Sequence, residues 1–174
     1  MNVQKYHRKT GLGNRGFTLI EILIVVMVLG ILAMIIIPQI NVSTEDAKQS
    51  TLATNISGLR NAIELYYHQH KQIYPGGGTV PTGETAATAF LRQLTEYTDI
   101  DGNIATIKDG TTYKYGPYLK GGSLPENPFN NLSDVACNTT VDIITTRVST
   151  GDTGWLFYTI TGNLMANDGE HDDL

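Results

Sequence analysis

From Phe17 to Ile37 the chain runs through 21 residues in which Glu21 is the one charged side chain. A helix of that length spans roughly 30 Å, the thickness of a bilayer's hydrocarbon core. The run has no polar stripe, so it predicts a membrane helix rather than a surface helix of a globular domain. Pro38 closes the run. It lacks an amide proton and crowds the preceding turn, which predicts a kink or local melt near Met34–Pro38. Beyond it the pattern changes. Leu52, Ile56, Leu59, Ile63, Tyr66 and His70 recur at alternating steps of four and three, while Ser50, Thr54, Ser57, Arg60, Asn61 and Glu64 fall opposite. That is a one-sided helical stripe. The two patterns together predict a long helix in two halves from about Phe17 to His70. The first half is apolar all round, the second is amphipathic, and a partial break is allowed at the polar stretch Asn41–Asp46.

The run Tyr74-Pro75-Gly76-Gly77-Gly78 ends this helix. A second helix follows, capped by Thr82 or Thr85, with Ala86, Phe90, Leu94 and Tyr97 as its apolar face and a stop before Asp101-Gly102. From Gly102 the text turns to short β-type runs: Ile104–Ile107, Thr112–Tyr115, Val141–Val148, Trp155–Ile160 and a short return at Leu164–Ala166. Ser149–Gly154 and Thr161-Gly162-Asn163 read as turns. Tyr118–Phe129 holds Pro125 and Pro128 and reads as an irregular loop. The expected fold is α+β, with a long N-terminal helix packed on a small antiparallel sheet.

Charge refines the picture. Four of the 12 basic residues, Lys5, Arg8, Lys9 and Arg15, precede Phe17, and no acid does. The positive-inside rule keeps that end cytoplasmic. The chain from Phe17 onward then carries 8 basic and 17 acidic groups, a net of −9, which argues against a nucleic-acid binder. The single cysteine, Cys137, excludes an intrachain disulfide and reads as a small core residue.

Arg15-Gly16-Phe17-Thr18-Leu19-Ile20-Glu21, the apolar run and Pro38 resemble the N-terminus of the type IV pilin-like family, the type IV pilins and type II secretion pseudopilins. The stretch from Tyr118 and Leu119 to Leu124, Pro125, Pro128 and Phe129 is similar to the loop between helix and sheet in major pseudopilins. The resemblance implies a leader at 1–16, cleaved between Gly16 and Phe17 by a prepilin peptidase, and N-methylation of Phe17. It implies a transmembrane and assembly helix at 17–38 and a periplasmic or extracellular domain at 39–174. The expected function is a structural subunit of a pseudopilus or pilus, polymerised through its N-terminal helices. Its implied partners are other copies of itself, an inner-membrane assembly platform, and minor pilins or pseudopilins. The implied location is the bacterial inner membrane and then the filament. The competing reading is a single-span, membrane-anchored ligand-binding domain that does not polymerise.

Glu21 is the functional candidate of the membrane segment, because a carboxylate in hydrocarbon is costly. No basic side chain lies within 17–37, and the new Phe17 amine would supply a charge partner, its own or a neighbour's. Gly30 and Pro38 both weaken helical order and mark a segment that melts on assembly; the alternative for Gly30 is close helix packing. No catalytic set is present. His68 and His70 are two apart and point to different faces, and there is no nucleophile elbow, paired cysteine or dinucleotide fingerprint. An enzyme is therefore not expected. The tail from Asn163 to Asp173 is rich in carboxylates and amides around Gly169. It reads either as a Ca²⁺ loop, as the pseudopilin resemblance implies, with Asn167, Asp168, Glu170 and Asp172 as ligands, or as a solvated acidic end.

Overall fold

The computed structural model describes residues 16–141, 150–171 and 173, and within 35–43 the backbone only. The leader up to Arg15, most of the expected strand Val141–Val148, the Pro38 side chain and Asp172 lie outside what is described. The chain divides into two compact units, Met1–Thr44 and Glu45–Leu174.

Helix α1 (Leu19–Gln69) contributes its first part to one unit and its later part to the other. In the first unit the apolar side chains from Phe17 to Met34 are exposed all round the helix. Among the described residues no helix is long and apolar enough to cross a membrane. The described side chains of the apolar run stop at Met34, short of its end at Ile37.

The second unit is built on the amphipathic half of α1. Leu52, Ile56, Leu59, Ile63 and Tyr66 bury the predicted stripe in one core. Helix α2 (Ala86–Thr95) adds Phe90 and Leu94 to that core. Its N-cap is Thr85, whose hydroxyl accepts from the Thr88 amide at 3.2 Å. The Arg92 guanidinium, between Glu84 and Glu96 on one face, holds the last turn. Tyr97, expected on this helix, instead opens strand β1 (Tyr97–Thr98), antiparallel to β2 (Ile104–Ala105). The reason is the reversal at Asp99–Asn103. Asp99 Oδ1 accepts the amides of Asp101 and Asn103, both at 2.9 Å, and Gly102 takes a φ of +84°. Of the expected strand Thr112–Tyr115, one bridge remains, from Tyr115 to Thr98.

A second sheet holds β3 (Val135–Asn138), β4 (Trp155–Tyr158) and β5 (Leu164–Ala166) in that order. The β4–β5 hairpin is antiparallel as expected, with Leu156 opposite Met165. The β3–β4 pair runs parallel, with Val135 opposite Trp155, so this sheet is mixed. Parallel neighbours cannot be joined by a tight turn and need a longer crossover connection. Strand alternation sends Trp155 and Phe157 into the helical core, while Leu156 and Tyr158 join Met165 in a smaller cluster on the other face. Gly162 in the hairpin turn has a φ of +74°, and an added Cβ would lie 2.2 Å from the Tyr74 ring. Cys137 is half-buried, and burial pushes its thiol up to about 12.

His70 lies just past α1 and is 2% exposed. Its Nδ1 donates to the Tyr66 carbonyl at 2.8 Å, so Nε2, 2.9 Å from Thr98 Oγ1, is the acceptor. The ring stacks on Tyr66 at 3.7 Å and meets the edges of Tyr115 and Tyr118. Burial pushes the imidazole below its ordinary value, against the opposing pull of the Tyr66 carbonyl, the Asp99 backbone and the Asp99 carboxylate. The unfolded chain then binds the proton more readily than the fold does. His70 stabilises fully above the ordinary histidine value of about 6.5, and this contribution is lost as pH falls toward the depressed folded value. We predict that the melting temperature of the wild-type chain drops on acidification from about pH 7 to 5, and that His70→Gln has a flatter profile over that range. Parallel profiles would exclude His70 as the cause.

Candidate functional site

The N-terminal site is built from the first helical turn upward. Gly16, Phe17 and Thr18 precede the helix, and all three are exposed. An added Cβ on Gly16 would meet nothing within 4 Å. Among the described residues nothing covers the bond between Gly16 and Phe17.

Thr18 is the N-cap of α1, and it pairs with Glu21. Thr18 N–H and Thr18 Oγ1–H both donate to Glu21 Oε2 at 2.8 Å, and the Glu21 amide donates back to Thr18 Oγ1 at 3.3 Å. This reciprocal pattern is a capping box. Glu21 thus has a hydrogen-bond partner within the chain, besides the charge partner expected in the Phe17 amine. The signal was legible: a Thr, two residues, then a Glu ahead of an apolar run. The carboxylate also sits at the positive end of the helix dipole, which favours it there.

The rest of the site is apolar. Phe17 is 83% exposed and Met27 63%. An apolar surface this continuous marks a contact with lipid or with partner helices. Among the described residues nothing lies within 4 Å of a Cβ added at Gly30. Pro38 lies within the bounds of α1, but its side chain is outside the described residues.

The tail residues are placed differently from the N-terminal ones. Asn167 is buried, and its side chain bridges to the 150–154 turn: Oδ1 accepts the Thr150 amide at 2.8 Å, and Nδ2 donates to Thr153 Oγ1 at 2.7 Å. Asp168 accepts from Asn127, Glu170 and His171. Glu170 is exposed, and Asp172 is not described. Among the described residues no group of three or more His, Cys, Asp or Glu is placed to hold a metal ion. Of the four tail residues, Asn167 and Asp168 turn their side chains to protein donors, Glu170 faces solvent, and Asp172 lies outside the described residues.

Sequence reading missed Asn127, which is fully buried in the segment between β2 and β3. Its Nδ2 donates to the Gly154 carbonyl at 3.1 Å and to Asp168 Oδ2 at 3.0 Å, and its Oδ1 accepts the Phe129 amide at 2.9 Å. Its position between Pro125 and Pro128 was the available hint, since irregular backbone beside prolines needs side chains to satisfy its polar groups.

Comparison with known proteins finds relatives through the same N-terminal residues. The family model described as the prokaryotic N-terminal methylation motif matches residues 12–37. The chain is 28% identical over 116 residues to type II secretion system core protein G of Aeromonas hydrophila, covering 67% of this chain and 68% of that protein. Core protein G of Vibrio cholerae is 30% identical over 116 residues, covering 67% of this chain and 66% of that protein. A fimbrial protein of Pseudomonas aeruginosa is 34% identical over 103 residues, covering 56% of this chain and 63% of that protein. No solved structure matches the chain. The chain belongs to the type IV pilin-like family, which takes in the type IV pilins and the type II secretion pseudopilins.

The capping box yields a direct test. Thr18→Ala removes the hydroxyl that serves the Glu21 amide and carboxylate, at a cost of about 0.5–2 kcal/mol in local helix stability. Hydrogen exchange at the Glu21 and Ile22 amides, measured on the full chain in detergent micelles, is expected to accelerate in Thr18→Ala and to stay near wild type in Thr18→Ser.

Proposed function

We propose that this protein is a structural subunit of a helical filament of the type II secretion pseudopilus or type IV pilus kind. The observation that carries the reading is the juxtaposition at the start of α1. An exposed Gly16–Phe17 bond lies directly before an N-capped helix whose apolar side chains are uncovered among the described residues. Prepilin peptidase cuts after Gly16, and the Phe17 amine is then methylated. The segment 17–38 holds the subunit in the inner membrane before assembly, with the domain beyond it on the periplasmic side. In the filament these segments bundle, and their apolar surface moves from lipid to neighbouring helices.

Glu21 sets the register of that bundle. Its Oε2 takes both donors of Thr18, and the same carboxylate is the group that meets a neighbour's Phe17 amine. Such a pair gains strength in a low-dielectric core, although desolvation offsets part of the gain. Gly30 and Pro38 lie where local melting accommodates the staggered packing. The pseudopilus is favoured over the pilus by two features: the stretches of similarity to core protein G of type II secretion, 116 residues, are longer than the 103 residues shared with the fimbrial protein, and the loop from Leu124 to Phe129 resembles that of the major pseudopilins. An assembly platform in the membrane and minor subunits at the filament tip complete the set of partners.

Two measurements test the reading. Intact mass of the protein from its native host is expected to fit a chain that starts at Phe17 with one added methyl group; a mature protein that retains residues 1–16 would overturn the assignment. Glu21→Val is expected to insert and be cleaved normally while filament yield falls to background, and wild-type yield would refute the pairing role.

A further inference from the structure

Two of the four candidate calcium ligands, Asn167 and Asp168, already have their side-chain oxygens engaged by protein donors. Asp168 has a side chain only 3% exposed. Its Oδ1 accepts the amides of Glu170 at 3.0 Å and His171 at 2.9 Å and lies 3.2 Å from His171 Nδ1; its Oδ2 accepts Asn127 Nδ2 at 3.0 Å. A calcium ion takes six to eight oxygens at about 2.3–2.6 Å. At this carboxylate it would compete with four protein donors. Asn167 is no freer, since its oxygen and its nitrogen are both directed at the 150–154 turn.

We propose that Asp168 is the hub of a latch, made of protein groups alone, that pins the C-terminal tail to the 125–133 loop and the 150–154 turn. Three segments distant in sequence meet at this point. Asn127 reaches both Asp168 and the Gly154 carbonyl. Asn130 Nδ2 donates to the Thr153 carbonyl at 2.9 Å. Asn167 closes the third side through Thr150 and Thr153. The His171 ring lies flat on Phe129, with centroids 3.7 Å apart and planes 17° from parallel, and the Lys48 ammonium stands 5.6 Å from the same Phe129 ring. The latch thus reaches α1 through Lys48. Burial alone would raise the Asp168 carboxyl, but the Asn127 amide, the Glu170 and His171 backbone and the His171 ring hold it below the usual carboxylate range. A buried carboxylate kept ionised by four donors forms stronger hydrogen bonds than a neutral group would. In a chain whose one cysteine cannot form an internal disulfide, such a hub fixes the chain end to the sheet.

This inference does not rest on the filament reading, and it is tested on the full chain in detergent micelles. Hydrogen exchange is followed at the Glu170 and His171 amides, with the Phe157 amide as a control for the intact core. Asp168→Ala is expected to speed exchange at both tail amides by about tenfold or more while Phe157 stays protected. Asn127→Ala should do the same, and the double variant should exchange no faster than the faster single one, as expected for partners in one network. Asp168→Asn, which keeps the size and loses the charge, covers the case in which Asp168→Ala fails to fold. In the wild-type chain, millimolar Ca²⁺ and then chelator are expected to leave both exchange and melting temperature unchanged. A rise in melting temperature with Ca²⁺, tail exchange at the wild-type rate in both Asp168 variants, or additive effects of the Asn127 and Asp168 changes would each overturn the latch.

Discussion

The buried stripe of α1 is the surface on which the rest of the second unit depends. Leu52, Ile56, Leu59, Ile63 and Tyr66 form one side of a core whose other sides are Phe90 and Leu94 from α2 and Trp155, Phe157, Leu164 and Ala166 from the second sheet. Burying large apolar side chains of this kind stabilises by about 1.5–3 kcal/mol each, before the cost of ordering the chain. Two short sheets and a ten-residue helix have little stability of their own. They are held by what they set against the stripe. The aromatic contact between Phe90 and Phe157, with centroids 4.6 Å apart, joins α2 to β4 within this core.

Much of the remaining chain is irregular, and buried irregular backbone carries polar groups that no ladder satisfies. Carboxamides supply the missing partners. Gln93 accepts the Gly76 amide at 2.8 Å and donates to the carbonyls of Thr79 and Gly102, both at 2.9 Å, so one side chain joins α2 to the glycine-rich run and to the β1–β2 turn. Asn127, Asn130 and Asn167 do the same for the loops around the second sheet. Trp155 shares in this, filling the core with its ring while Nε1 donates to the Pro125 carbonyl at 2.8 Å. The proline-containing loop is therefore tied down by the core it borders.

The two ends of the molecule treat carboxylates in opposite ways. Asp168 is enclosed and its acceptor capacity is taken up by donors from its own chain. Glu21 is exposed and tied to Thr18 through one oxygen in the contacts described. A carboxylate already tied to its own helix end is pre-oriented when a positive partner arrives, which lowers the ordering cost of an intermolecular pair.

Composition and period alone determined the elements with strong local signals. The apolar run, the amphipathic stripe through Tyr66 and His70, the glycine stop after Tyr74, the Thr85 cap and the β4–β5 hairpin each rest on residues within a few positions of one another. Their physics is equally local: helical period, capping and turn formation. The pilin-like N-terminus was legible for the same reason, since acid, cap and apolar run lie within one short stretch. Only the tertiary structure decided the parallel pairing of β3 with β4, the transfer of Tyr97 from helix to strand, and the partners of Asn127, Asn167 and Asp168. Asn127 and Asp168 are 41 residues apart in sequence and their side chains meet at 3.0 Å. A row of acids and amides in the tail looks the same in sequence whether its oxygens face a cation, water or buried amides. What separates these cases is which donors the fold brings within hydrogen-bonding distance, and those donors come from a loop and a turn that no local pattern connects to the tail.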